Sequence, residues 1–293
     1  MGVHTAIEWA DSTLNLQMGC LGCELWDRAA KVRTCYAGNL VQRHAGQPGW
    51  PAQFERPEIY PKRMDQGARW VSLTGRTRPD KPWLDGLPRV IFLNDLGDTF
   101  SEGLPEDWLA EFLHPLGKLD AIVLVLTKRV QRAQEFFDCY PAPVNFRLGV
   151  SVTDVTTARA RLPILSATQV PGRFISAEPW LGPGAIPASL LQGIEWVILG
   201  GESGQSSPGG GPRPSNLDDL RGSIDAAHQA NAAVFVKQLG TIPMGPDEDL
   251  LQIVGMRSKK GNDWNEWPAD LRVREMPASF GGVAPLARAL GIE

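Results

Sequence analysis

From Arg89 onward, short and almost continuously apolar runs alternate with longer mixed segments suited to helices. The runs are Arg89 to Asn94, Ala121 to Thr127, Arg147 to Val152, Arg173 to Glu178, Trp196 to Gly201 and Val234 to Gln238. Strands covered on both faces read this way, whereas a half-exposed strand would alternate apolar with polar. They recur every roughly 22 to 38 residues, the spacing of βα units. A seventh strand is expected at Thr13 to Met18, just ahead of a group of cysteines. The predicted fold class is therefore α/β, a TIM-type (β/α) barrel, complete or partial, filling 1–293 as one domain.

Most of these runs end in polar residues: Asn94 and Asp95, Thr127 to Arg129, Ser151, Glu178, Glu202, and Lys237 with Gln238. Parallel strands open their C-terminal ends on one face, where functional groups gather. Each end taken alone is equally explained by a strand meeting water. Six together predict a common site.

Between Gly46 and Pro88 the periodicity lapses into Pro, Gly and Arg, with Arg56, Lys62, Arg63, Arg69, Arg76, Arg78 and Lys81 partly offset by Glu55, Glu58, Asp65, Asp80 and Asp85. The stretch reads as an insertion at 46–88, with a short helix near Pro61 to Trp70. It is either plain solvated surface or a substrate-covering lid. Residues 241–293 read as a C-terminal extension packing on the barrel, and Gln205 to Pro214 as a flexible loop.

Composition changes this picture little. Apolar residues make up 43% and charged residues 21% of the chain, which is ample for a core. The net charge of −4 and pI near 5.7 exclude a bulk electrostatic footprint for nucleic acid or an anionic membrane. Neither a secretory signal nor an apolar run long enough to span a bilayer is visible, so a cytoplasmic location is expected.

The cysteines add chemistry. Cys20 and Cys23 stand two residues apart and Cys35 follows eleven residues later. A short-spaced pair can grip one metal centre, and the longer loop lets a third thiolate close over it. Structural zinc is normally closed by four donors, so three without an obvious fourth suit an iron-sulfur cluster with one open iron. His44 could complete a zinc Cys3His site instead. Cys139 reads as a half-buried thiol with no such role. The turn at Gly200 to Gly204 is either an anion-binding nest or a tight turn that needs small residues. Trp9, Trp26, Trp50, Trp70 and Trp83 cluster around the cysteine loop and the insertion, where rings stack on bases or simply pack.

Ile7-Glu8-Trp9, the loop ending in Cys35-Tyr36-Ala37, FLNDLGDTF at 92–100, LTKR at 126–129, LGVSV at 148–152, SAEPWLGP at 176–183, GGESG at 200–204, FVKQLG at 235–240 and EWPADLRVREMP at 266–277 occur in that order. In these segments the chain resembles the phage and bacterial proteins with a three-cysteine motif, a radical-SAM-like group distantly similar to spore photoproduct lyase. The resemblance implies a 4Fe-4S cluster on Cys20, Cys23 and Cys35 that binds S-adenosylmethionine, a nucleotide or nucleic-acid substrate and an electron donor protein; that no membrane is involved is expected from the charge and the lack of a spanning run. From their position at the strand ends, rather than from the resemblance, Asn94, Asp95, Ser151, Glu178, Glu202 and Lys237 are expected to meet the cofactor, with Asn94 and Asp95 placed for its amino group. Asp98 could join them on ribose hydroxyls, while Lys128, Arg129 and Lys237 could pair a carboxylate or phosphate. For Lys128 and Arg129 the plainer reading is the start of a solvated helix.

Overall fold

The computed structural model describes residues 2–27, 29–204, 211–245 and 257–281. Its centre is a single sheet of seven parallel strands in chain order: β1 (Ser12–Leu14), β2 (Arg89–Leu93), β3 (Ala121–Thr127), β4 (Phe146–Ser151), β5 (Arg173–Ala177), β6 (Trp196–Gly200) and β7 (Ala233–Gln238). β1 and β7 do not pair with each other. The sheet is a curled half-barrel, open between its first and last strands.

Both faces are apolar, for different reasons. On the outer face, residues such as Ile91, Val123, Leu148, Ile175, Val197 and Val234 pack into the large core that also takes in the helices. These are α2 (Ala110–Gly117), α3 (Val130–Cys139), α4 (Val155–Ala167) and α5 (Leu217–Gln229), lying between successive strands. The inner face belongs to a separate cluster in which Phe92, Leu124, Phe174, Trp196 and Phe235 meet Trp9 and Phe280. Gly149 is required there, because a Cβ would stand 2.4 Å from the Phe174 ring. Large rings thus fill the lower barrel, and the same inward parity carries Ser151, Glu178 and Lys237 to its upper rim.

Unpaired edges are covered, as exposed strand edges must be. Thr13 on β1 donates to the Gly2 carbonyl at 3.1 Å, while Val236 on β7 donates to Val273 at 2.8 Å and Glu275 donates to Val234 at 2.7 Å. The gap between the edges holds Thr5 to Ala10, clamped by Lys81, whose ammonium donates to the carbonyls of Thr5, Ile7 and Ala10 at 2.8, 2.7 and 2.5 Å. Arg78 is buried on Asp11 at 3.2 Å. The 46–88 segment is therefore only in part the solvated surface its composition suggested. Arg56, Lys62, Arg69 and Arg76 are exposed, but Arg78 and Lys81 lock the N-terminal segment into the open side.

Three expectations are corrected. The run from Thr13 to Met18 is not one strand: the chain leaves the sheet at Asn15, and Gln17–Met18 pairs antiparallel with Glu58–Ile59. β2 stops at Leu93 because Asn94 turns into the left-handed region at φ 60°, which asparagine tolerates better than most residues. Cys139 is exposed rather than half-buried. The short helix near Pro61 is present, as a 3-10 turn at Pro61–Arg63 running into Met64–Gly67. Of the C-terminal part, Ala278–Gly281 forms a helical turn that places Phe280 against Trp196, ring centroids 5.5 Å apart. Much of Gln205 to Pro214 lies outside the described residues.

Candidate functional site

The cysteine loop is built so that distant residues return to one place. Cys23 and Trp26 exchange backbone hydrogen bonds at 2.9 and 2.8 Å, which turns the chain into a hairpin of Trp26–Asp27 with Val32–Arg33. The returning strand delivers Cys35, whose N–H donates to the Leu25 carbonyl at 2.9 Å. The eleven intervening residues therefore bring Cys35 back beside Cys23 rather than away from it. Cys35 is then the N-cap of α1 (Tyr36–His44), and Trp26 lies so close on that helix that a Cβ on Gly38 would meet its ring at 2.4 Å. Cys20 is tied separately, its N–H donating to Phe54 at 2.8 Å, while its neighbour Gly19 donates to Leu96 at 2.9 Å.

All three cysteines line a cavity of about 580 Å³ at the C-terminal ends of the strands, a volume suited to a small organic ligand. Asp95, Ser151, Glu178, Glu202 and Lys237 line it too. Its floor includes Trp9, Phe92 and Leu126, and Phe54 is the residue that the 46–88 segment supplies among the described residues. Thr5, Ala6, Ile7 and Glu8 complete the contribution of the N-terminal segment.

Asn94 is the exception among the expected ligand-binding residues. It is 2% exposed and lies off the cavity lining. Its Oδ1 accepts from the Gln17 N–H at 2.9 Å and its Nδ2 donates to Thr99 Oγ1 at 2.9 Å, so its amide holds the loop below the cysteines together. Asp98 lines the cavity but is equally engaged, accepting from Thr127 Oγ1 at 2.7 Å, Lys128 N at 3.0 Å and Phe100 N at 3.0 Å. Gly200 to Gly204 follows the small-residue reading, since a Cβ on Gly201 would stand 2.3 Å from the Leu239 carbonyl and its N–H already donates to Gln238 at 3.0 Å.

Two carboxylates at the cavity carry ion-pair partners, each pair partly shielded from water. Lys237 and Glu178 face each other at 2.8 Å. Burial alone would lower the Lys237 ammonium, but Glu178 and Glu8 outweigh it and the net shift is upward. Glu202 takes Arg213 at 2.6 Å, with a second contact from Arg213 Nε at 2.8 Å. Burial raises the Asp95 carboxyl, against hydrogen bonds from Asn15 and Tyr36 that act the other way. Enclosure of its hydroxyl end and then Asp95 hold the Tyr36 phenol well above its ordinary range, although the residue as a whole is exposed.

The thiols respond to the same environment. Burial, reinforced by Asp98, pushes Cys20 up to about 12, and burial raises Cys35 against amides at the start of α1. Metal-free, both are neutral thiols at pH 7, and metal binding has to displace their protons. Two amides already point at sulfur, Gly22 N at 3.4 Å from Cys20 Sγ and Leu25 N at 3.4 Å from Cys23 Sγ. Among the described residues no group of three or more His, Cys, Asp or Glu side chains is placed to hold one metal ion, so Cys20, Cys23 and Cys35 share the cavity without standing as a ready-made three-thiol centre. His44 is not placed as a fourth donor. It stacks on Trp50 with centroids 4.6 Å apart, its Nδ1 lies 3.2 Å from Gln47 Oε1, and it does not line the cavity.

Sequence reasoning passed over Tyr36, whose hydroxyl donates to the Asp95 carbonyl at 2.5 Å, and Glu24, which takes both Lys128 and Arg161 at 3.0 and 3.1 Å. Tyr36 was quoted only as part of the Cys35-Tyr36-Ala37 motif, with no role of its own, and Glu24 had no signal beyond its place next to Cys23. Of the aromatic residues near the loop, Trp9 and Trp26 reach the cavity, whereas Trp50, Trp70 and Trp83 do not.

The chain belongs to the family described as protein of unknown function (DUF5131), which matches residues 4–268. No curated protein and no solved structure matches it. No helix among the described residues is long and apolar enough to cross a membrane.

Proposed function

We infer that this protein is a radical S-adenosylmethionine-type iron-sulfur enzyme on a partial TIM-type barrel, acting on a nucleotide or nucleic-acid-related substrate in the reducing cytoplasm. The observation that carries the reading is the joint placement of Cys20, Cys23 and Cys35 with Asp95, Glu178, Glu202 and Lys237 around one cavity. By residue chemistry the donors suit a cluster, although they are not gathered as a ready centre: three thiols on one cavity, amide donors on two sulfurs, and no histidine among the described residues that line it. A zinc scaffold, the competing reading, needs a fourth donor, and His44 is turned to Trp50 and Gln47.

When bound, a 4Fe-4S cluster with an open iron supplies one-electron reductive cleavage of the S-adenosylmethionine sulfonium, with the electron coming from a donor protein. The chain's own residues bind and shield. The three thiolates would hold the cluster, and the partly buried Glu178–Lys237 pair would offer both signs of charge to an amino acid moiety. Asp95 and Glu202 offer acceptors to hydroxyl or amino groups, and the Trp9, Phe92 and Leu126 floor excludes water. The nucleotide substrate rests on the family resemblance and on the cavity's aromatic walls.

Anaerobic reconstitution followed by iron, sulfide and zinc assay tests the reading. The expected result is about four irons and four sulfides per chain and, after reduction, release of methionine and deoxyadenosine. Stoichiometric zinc without iron overturns it in favour of the scaffold.

A further inference from the structure

Lys128 and Arg129 are the two cations that the sequence offers either to a ligand or to a solvated helix start, and they have another target. Arg129 is held by Asp98 at 3.3 Å, Glu102 at 3.2 Å and the Gly22 carbonyl. Lys128 reaches the other side of the loop, where its Nζ lies 3.0 Å from Glu24 Oε1 and 3.5 Å from Cys23 Sγ. Its side chain is 13% exposed. Its root is fixed as well, because Thr127 Oγ1 and the Lys128 N–H both donate to the buried Asp98. The end of β3 therefore sets where this ammonium stands relative to the sulfur.

We propose that Lys128 is a positioning residue that holds a positive charge against Cys23 and raises the reduction potential of the iron-sulfur centre bound there. The inference rests on the reading that the three cysteines hold such a centre. Reduction takes one electron from an external one-electron donor, converts one ferric to one ferrous iron, breaks no bond and adds one negative charge. A cation shielded from water beside a ligand sulfur stabilises that added charge. Glu24, an anion on the same ammonium, opposes it. The two residues should thus shift the potential in opposite directions, a pattern that loosening of the loop would not give.

The test is a dithionite titration, followed by electron paramagnetic resonance, of anaerobically reconstituted wild-type, K128M, K128R and E24Q proteins, with iron and sulfide counted in each. At the wild-type midpoint, K128M should show a reduced-to-oxidised ratio at least about tenfold lower, a fall of about 59 mV for one electron. K128R should stay within about threefold of wild type, since it keeps the charge. E24Q should shift upward. A K128M midpoint equal to wild type at full iron content overturns the inference and leaves the cluster reading standing. If K128M retains no iron, E24Q decides, and a midpoint that is unchanged or lower overturns the proposal. Wild-type protein that takes up no iron and sulfide overturns the cluster reading, and this inference falls with it.

Discussion

The ammonium of Lys237 on β7 stands 2.8 Å from Oε2 of Glu178, the residue after β5, so the pair reaches across the end of the intervening β6. Side-chain exposures of 23% and 9% take the pair out of the surface class, where ion pairs contribute little.

Removing one partner should leave the other charge buried. Glu178→Gln and Lys237→Met are each expected to cost about 2–4 kcal/mol in urea unfolding at pH 7, and the double variant less than the sum of the two. Single variants within about 0.5 kcal/mol of wild type would show that water already screens the pair.

Metal content separates the four cysteines and His44. Alanine at Cys20, Cys23 or Cys35 should abolish iron retention after anaerobic reconstitution, because each lines the same cavity. Cys139→Ala should leave it whole, its thiol being exposed on α3. His44→Ala should also leave it whole, since His44 stacks on Trp50 instead. Loss of metal in the His44 variant as well as in the three cysteine variants would restore the Cys3His reading.

How much of this was legible follows from what each residue had to satisfy. β2 to β7 fall within a residue or two of their expected ends because strands buried on both faces must be apolar throughout, and that constraint is local. The polar rim was legible for the same reason, inward parity being continuous along a strand. Asn94 misled because a polar residue at a strand end looks identical whether it faces a ligand or is consumed by the turn it makes. Only the φ of 60° and the bonds to Gln17 and Thr99 tell the two apart. Lys81 and Arg78 were hidden by distance, for their partners lie more than sixty residues upstream. Asn15 was hidden by its neighbours' apolar pattern, although its side chain takes Asp95 at 2.6 Å and the Leu96 N–H at 3.1 Å and so splits the expected strand in two.

Gly201 offers a steric test of the rim. A methyl group there would press on the Leu239 carbonyl at 2.3 Å and on Ser215 Cβ at 2.7 Å, neither of which is a flexible chain end. Gly201→Ala should therefore cost about 1–3 kcal/mol by overpacking and displace Glu202 from Arg213. Thermal unfolding with a crystal structure of the variant would check both, and a variant as stable as wild type would show that β6 and β7 can spread.

The latch on the cysteine loop should be visible in the pH dependence of stability. Glu24 is an exposed residue whose side chain keeps 31% of its surface; its partial burial alone would raise the carboxyl, yet Lys128 and Arg161 outweigh that and bring it from 4.5 to about 2. A carboxylate depressed by folding binds fewer protons in the native than in the unfolded state, so it stabilises the fold above about pH 4.5, and this contribution is lost as pH falls through about 2. Glu24→Gln should accordingly be less stable than wild type by about 1–2 kcal/mol at pH 7, between the exposed and fully buried limits for ion pairs. The gap should narrow between pH 4.5 and 2 and close below that. Urea titrations of the metal-free proteins at pH 7, 4.5, 3 and 2 would measure it, with Arg161→Met expected to shrink the same gap. A gap of constant size across that range would mean that Glu24 anchors the loop by hydrogen bonding alone, with its charge contributing nothing.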